Sequence, residues 1–338
     1  MSALVSRVAP FVVALALGIA LPAGAWGEHL RVAAVVAMFF LYGARLRPVD
    51  VWEGLKHWNL QTATLVATFV IGPLLGVVLH LVPGSVGVAL AFVACLPSTA
   101  SSSVALVGLT RGNSAAAVCA AAFSNTLGLF LAPVALMLVL HVHGAGSLGS
   151  LQGVLLHLLL PFIVGLAVQP WLGPWLRGLG RKVAKIDLAA VLVLVYASVS
   201  KATGDGIWAA AGPLVILEIA AGCAVLLAAL YAITTAMARA LRRHGRISLA
   251  DSPVLVLCGS MKSIAVGAGL AYALLPADVA PVATLAIIVY HQLQAASGVV
   301  LASHIALPEP AADATPDATP APSASPEPTA PREASVPA

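Results

Sequence analysis

Apolar residues run in long stretches at about 8–26, 30–48, 60–83, 86–109, 113–141, 151–176, 186–202, 209–238, 253–275 and 279–305. The pattern has neither the strict alternation of a barrel strand nor the narrow stripe of a surface helix. A hydrocarbon core about 30 Å thick takes about 20 helical residues. The expected fold is therefore an all-α membrane protein with ten transmembrane helices joined by short loops. Arg7, the run Phe11–Pro22 and Ala23-Gly24-Ala25 imitate a signal peptide. The nine runs that follow, and a helix exit at Pro22–Trp26, favour a retained first span. Residues 306–338 carry Pro, Ala, Ser, Thr and acid with no aromatic side chain, and are expected to be a disordered cytoplasmic tail.

Two runs are interrupted by polar sequence. The fourth reads Cys95-Leu-Pro97-Ser98-Thr99-Ala-Ser101-Ser102-Ser103-Val-Ala. Proline removes a backbone donor, and the hydroxyls offer the freed groups new partners. The ninth reads Cys258-Gly259-Ser260-Met261-Lys262-Ser263-Ile-Ala-Val. Five spans separate them, so they run in opposite directions. This predicts an inverted five-plus-five repeat (halves 8–143 and 150–305 of a 1–305 transporter domain), with helices four and nine broken and crossing at mid-membrane. Matched broken helices point to a transport site.

Composition sharpens the membrane reading: 60% of residues are hydrophobic and 9% charged, with a mean hydropathy of +1.01. Charge then orients the chain. Arg45, Arg47, Lys56, Arg111, Arg177, Arg181, Lys182, Lys185, Arg239, Arg242, Arg243 and Arg246 fall in loops on one side of a ten-span chain, and only Arg31 and Lys201 on the other. Cationic loops mark the cytoplasmic side. Both termini are expected there, in a multi-pass protein of the cell membrane. The four cysteines have no metal-ligand spacing, and zincin, nucleophile-elbow, Walker and dinucleotide motifs are absent, so no enzyme is expected.

The run from Cys95 to Ala105, Arg111-Gly112-Asn113, Phe123-Ser124-Asn125, Phe39 to Arg47, Gly259–Ser263 and Tyr290-His-Gln-Leu-Gln294 resemble the bile acid:sodium symporter family over residues 8–305. The resemblance implies panel and core domains, alternating access for organic anions and sodium near the crossing. It places the span-four sodium pair at Ser101 and Ser102, with serine for asparagine at the second. The span-five hydroxyl positions fall on Ala117 and Ala121, Thr68 lies near a span-three glutamine, and Met261 matches. The acid of span nine becomes Cys258 and its glutamine becomes Lys262. Sodium near Ser101, Ser102 and Met261 is thus a weakened expectation.

Lys262 lies too deep to reach either interface. Three readings stand: a fixed cation that replaces sodium and attracts an anionic substrate, a titrating group that couples transport to protons, or a structural partner for carbonyls at the break. Glu218 is the best candidate counter-charge, but it lies nearer the outer face, where interfacial solvation is the alternative reading. His291, Gln292 and Gln294 occupy the place of Ser124 and Asn125 in the second half. They line the site or join helices. His157 is read as a packing residue. The leading function is secondary transport of a small organic, anionic solute, without sodium dependence. The alternative is a non-transporting membrane regulator of ion, for example calcium, homeostasis. Expected partners are the solute and the lipid bilayer, not nucleic acid. No cofactor is expected beyond sodium or a proton as coupling ion.

Overall fold

The computed structural model describes residues 10, 13–14, 16–45, 57–99, 101–140, 160–179, 181–204, 212–276 and 279–307. His157, Arg7, Arg47, Lys56 and the tail beyond residue 307 lie outside them. All regular structure among the described residues is helical. After a short helical stretch within 10–20, the elements are α1 (Ala25–Arg45), α2 (Trp58–Leu79), α3 (Gly84–Cys95), α4 (Ser101–Leu109), α5 (Ser114–Leu140), α6 (Leu160–Gly178), α7 (Arg181–Gly204), α8 (Pro213–Arg243), α9 (Ser252–Ser260), α10 (Ile264–Leu274) and α11 (Ala280–His304). Among the described residues three helices, Trp58–Leu79, Leu214–Arg243 and Ala280–His304, are long and apolar enough to cross a membrane. A fourth span is formed by Ser114–Gly128 with Phe130–Leu140 if the 59° bend between them lies within one crossing. Pro133 explains that bend, because it offers no N–H to the Leu129 carbonyl four residues back.

Exposed tryptophans mark helix ends. Trp26 opens α1, Trp58 opens α2, and Trp171 and Trp175 lie in the last turns of α6. Amphipathic rings concentrate at membrane interfaces in this way.

Small residues bring the helices together. α1 and α6 cross with almost no side chain between them: a Cβ on Gly43 would stand 2.0 Å from the Phe162 carbonyl oxygen, and one on Gly165 would stand 2.0 Å from that of Phe40. α2 also lies close on α3, though less tightly, through Gly72 and Gly76, which face Ala94 and Ala91. Without a hydrophobic force between helices in lipid, close backbone approach supplies much of the association.

α2 is not a uniform helix. Ala67–Ile71 forms a π-helical turn, and the Gly72 N–H donates to the Ala67 carbonyl five residues back. The next residue in that register, Pro73, has no N–H. The Thr68 carbonyl is therefore left without a donor from its own helix. The apolar run 60–83 gives no sign of this turn beyond Gly72-Pro73.

A polar staple joins the start of α5 to the loop before α9. Asn113 donates its backbone N–H to the Ala250 carbonyl at 2.9 Å and its amide to Asp251 Oδ1 at 2.9 Å. Its Oδ1 accepts the Ala116 N–H at 3.0 Å, which caps α5. Ser248 and Asp251 exchange backbone-to-side-chain bonds at 3.1 Å. Burial alone would raise the Asp251 pKa, but the bonds from Ser248 and Asn113 outweigh it and hold the carboxyl below its ordinary value.

Two predictions follow from these contacts. Gly43→Val or Gly165→Val should lower the thermal unfolding midpoint of the detergent-solubilised chain, because a new side chain must separate α1 from α6 at a cost of about 1–3 kcal/mol. A midpoint unchanged in both variants would contradict the crossing. The folded-state pKa of Asp251 is depressed, so its contribution is fully present above the ordinary value of 3.8 and is lost as pH falls through the folded value. The native chain should exceed Asp251→Asn in midpoint near neutrality, and that difference should shrink in acid.

Candidate functional site

Both interruptions are true breaks, and they are held against each other. α3 stops at Cys95, where Leu96 turns to extended backbone (φ −71°, ψ 150°). The chain re-enters helix at Ser101, so Ser101, Ser102 and Ser103 belong to the first turn of α4, and the break proper is Leu96–Thr99. α9 stops at Ser260, where Met261 turns extended in the same manner (φ −78°, ψ 145°). Ser263 then caps α10 by accepting the Val266 N–H at 3.3 Å. Gly259 and Ser260 therefore end α9 rather than break it, and the second break is Met261–Ser263.

The backbone groups released at these breaks find partners. The Ser263 N–H donates to the Pro97 carbonyl at 2.8 Å, which joins the two breaks directly. The Ser98 N–H donates to Ser124 Oγ at 2.9 Å, and the Ser98 carbonyl accepts from the Asn125 amide at 3.1 Å. On the other side, the Lys262 N–H donates to Gln294 Oε1 at 2.8 Å, and the Lys262 carbonyl accepts from Gln294 Nε2 at 2.9 Å. Each break is thus clasped, donor and acceptor together, by the long helix that follows it: α5 through Ser124 and Asn125, α11 through Gln294.

Further bonds complete the frame. The Tyr290 hydroxyl donates to the Ser260 carbonyl at 2.8 Å. Thr234 Oγ1 of α8 lies 3.0 Å from Ser260 Oγ, which also donates to the Val256 carbonyl at 2.7 Å. On the opposite strand of the crossing, Thr99 Oγ1 and Ser102 Oγ are 2.9 Å apart, and Ser103 Oγ bonds the Thr99 carbonyl. His291 Nδ1 lies 3.1 Å from Gln294 Nε2. Buried polar groups in a low dielectric need partners of this kind.

Lys262 is wholly buried. Its ammonium donates to the Leu96 carbonyl at 2.9 Å and to the Thr68 carbonyl at 3.4 Å. These are the carbonyl that leaves α3 at the first break and the one that the π-turn and Pro73 strip of its helical donor. The ammonium lies at the C-terminal end of α3, where the helix dipole favours a cation. No ion pair accompanies these bonds among the described residues. Glu218 does not serve as counter-charge. Ile219, Cys223, Leu226, Leu230 and Thr234 make the buried face of α8, while Glu218 is exposed beside Leu214 and Leu217.

The structure gathers Thr68, Ser98, Thr99, Ser102, Ser103, Ser124, Asn125, Gly259, Ser260, Met261, Lys262, Ser263, His291 and Gln294 around the two breaks. Gln292 lies on the same turn of α11, its Nε2 buried without a partner. The Ser98 hydroxyl is also buried and unpartnered. Of Ser101 the structure describes only its place at the start of α4. Ala117 and Ala121 are buried methyl groups, so the expected span-five hydroxyls are missing and Ser124 is the nearest one down the helix. Sequence reading missed Thr234 and Tyr290 as supports of the second break, and missed the role of Gly72-Pro73. A proline in mid-span was the available signal for the last.

Gln294→Leu should destabilise the chain by about 2 kcal/mol or more, because it strands a buried N–H and a buried carbonyl at roughly 1–3 kcal/mol each. Gln292→Leu, which removes no bond, should change stability little. Thermal unfolding in detergent separates them, and equal losses would contradict the clasp.

The model of the SBF-like CPA transporter family matches residues 8–307 of this chain. "Putative symporter YfeH" of Escherichia coli (strain K12) is 37% identical over 273 residues, which cover 79% of this chain and 81% of that protein. An uncharacterized protein of Pseudomonas aeruginosa is 34% identical over 276 residues, 80% of this chain and 82% of its own length. A rice protein (Oryza sativa subsp. japonica) named "Probable sodium/metabolite cotransporter BASS4, chloroplastic" is 29% identical over 134 residues, 38% of this chain and 32% of its own. The chain belongs to the SBF-like CPA transporter family, and is a multi-pass membrane protein of the bile acid:sodium symporter type.

Proposed function

We propose that this member of the SBF-like CPA transporter family is a secondary transporter that moves a small organic anion by alternating access at the crossing of its two breaks. The observation that carries the reading is Lys262, a buried basic side chain with two carbonyl partners and no ion pair among the described residues. A buried charge without an opposite charge is costly, and an anionic solute supplies one on binding. The N-termini of α4 and α10 both begin at the breaks, and their dipoles add to the attraction.

The likeness of the two clasps supports a five-plus-five inverted repeat, with α3–α4 as span four and α9–α10 as span nine of ten. Alternating access then follows from one repeat rocking against the other around a fixed site. The cationic loops argue for cytoplasmic termini in a cell membrane. With the span-nine acid replaced by Cys258 and the span-five hydroxyls by Ala117 and Ala121, free sodium has lost most of its ligands, and uptake should not require it. Ser98, Thr99 and Ser101–Ser103 on one side, and Met261–Ser263 with His291 and Gln292 on the other, are the residues that line the solute's path in this reading.

The test is uptake of radiolabelled small carboxylates and sulfonates by reconstituted vesicles, under a sodium gradient, a proton gradient or neither. At least one anion should accumulate equally well when choline replaces sodium. Loss of the charge-assisted contact, worth about 1.5–3 kcal/mol, should weaken apparent affinity by roughly tenfold or more in Lys262→Gln and Lys262→Glu. Uptake unchanged in either variant overturns the fixed-cation reading. No uptake of any anion under any gradient would favour a regulator of ion homeostasis that retains the fold.

A further inference from the structure

Away from the crossing, α8 carries a pattern that the transport reading does not use. Leu217, Ala221, Val225, Ala228, Ala232 and Ala236 are exposed and follow one another at steps of three or four residues, and the same stripe then continues into Arg239 and Arg243. The other side of the helix, from Ile219 to Ala238, is buried, so this stripe faces outward. Leu217 to Ala236 rises about 29 Å, close to a hydrocarbon thickness of about 30 Å. Arg239 and Arg243 stand about 5 and 10 Å further along the axis. Helical side chains lean back toward the N-terminus, so both guanidiniums fall within reach of the headgroup layer. Arg242 and Arg246 are exposed beside them. The next acid along the chain, Asp251, is buried and held by Asn113 and Ser248, so it does not offset their charge. Depth has a second marker. The Asn59 amide donates to the Arg246 carbonyl at 3.3 Å, which brings the exposed Trp58 of α2 to the level of the arginines. Tryptophan favours that interfacial level.

We propose that the end of α8 is a docking face for an anionic phospholipid of the surrounding bilayer, with the lipid phosphate on Arg239 and Arg243 and an acyl chain along the apolar stripe. An apolar face of hydrocarbon length that ends in cations at headgroup depth complements such a lipid along its whole length, whereas a soluble anion would use only the arginines. Guanidinium suits the task, because its planar fork bonds a phosphate through two N–H groups at once. Arg242 and Arg246 add to the local field and draw anionic headgroups to the surface. The lipid is thereby attached to the helix whose Thr234 supports Ser260 at the second break. Lipid binding is read without transport, so it stands or falls separately from the solute.

The experiment uses the full chain, purified in a neutral detergent, and follows its thermal unfolding midpoint as phosphatidylglycerol or phosphatidylcholine is added. The midpoint should rise saturably with phosphatidylglycerol and much less with phosphatidylcholine. In Arg239→Gln/Arg243→Gln the half-saturating concentration of phosphatidylglycerol should increase about tenfold or more, as the loss of charge-assisted bonds requires. Arg239→Lys/Arg243→Lys keeps the charge without the fork and should lose less, which preserves the test if the glutamine variant folds poorly. Lys182→Gln/Lys185→Gln, which removes two exposed cations from α7, should respond as the native chain does. Inorganic phosphate and glycerophosphoglycerol, a headgroup without acyl chains, should not reproduce the rise. The proposal fails if the two lipids act alike on the native chain, or if the arginine variants respond no differently from the lysine pair of α7. It fails equally if inorganic phosphate, glycerophosphoglycerol or an oligoglutamate peptide stabilises the chain as well as the lipid does, since the face would then serve a soluble anion.

Discussion

The organising constraint is that a backbone N–H or carbonyl within the hydrocarbon layer must find a partner inside the protein. Two helices that stop at Cys95 and Ser260 release such groups in the buried interior of the protein. The fold answers locally and reciprocally. Ser263 and Pro97 join break to break, while α5 clasps Ser98 and α11 clasps Lys262. Ser124, Asn125 and Gln294 are polar for the same reason that Tyr290 and Thr234 carry their hydroxyls: each completes a pairing that an unbroken helix would have made for itself.

Lys262 extends that logic from dipoles to charge. Its backbone belongs to the Gln294 clasp and its ammonium to carbonyls of two other helices. One residue thus links α2, the first break, the second break and α11. The two carbonyls fix the amino group at the crossing, and in the proposed transport reading that fixed group is what an anion would meet.

Much of this was legible in the chain, because the signals were compositional. Prolines, hydroxyls and a lysine within apolar runs located both breaks, and the five spans between them paired them. What could not be read was which polar residue bonds which. Ser101–Ser103 looked like the interruption, yet the chain has already returned to helix there. Serine can serve a break or a helical first turn equally well, and only the extended geometry at Leu96 decides. Glu218 looked like a counter-charge because linear position hides helix phase: one residue from the buried Ile219 places it on the exposed face. The π-turn was hidden for a further reason. It depends on Pro73 withholding a donor from Thr68, and its purpose becomes visible only when Lys262, nearly two hundred residues away, arrives to fill the gap.

Small residues set the limit on how far such an arrangement can move. Gly72 and Gly76 hold α2 on α3, and Gly259 and Gly267 admit Ala67 and Leu96 against the second broken helix. A larger side chain at Gly72 would press on the Ala94 carbonyl and on Lys262 Nζ, while one at Gly259 or Gly267 would collide with apolar side chains of the neighbouring helices. The staple of Asn113 to Ala250 and Asp251 restrains the same pair of helices at the far end of α4 and α9. α4, α5, α9 and α11 are thus bound into one polar-pinned body. The α1–α6 crossing, by contrast, rests on close backbone approach at Gly43 and Gly165 and on buried apolar side chains such as Phe39 and Phe162. In the proposed alternating access, rigid pinning around the crossing and smooth apolar packing elsewhere is the division that a moving site requires.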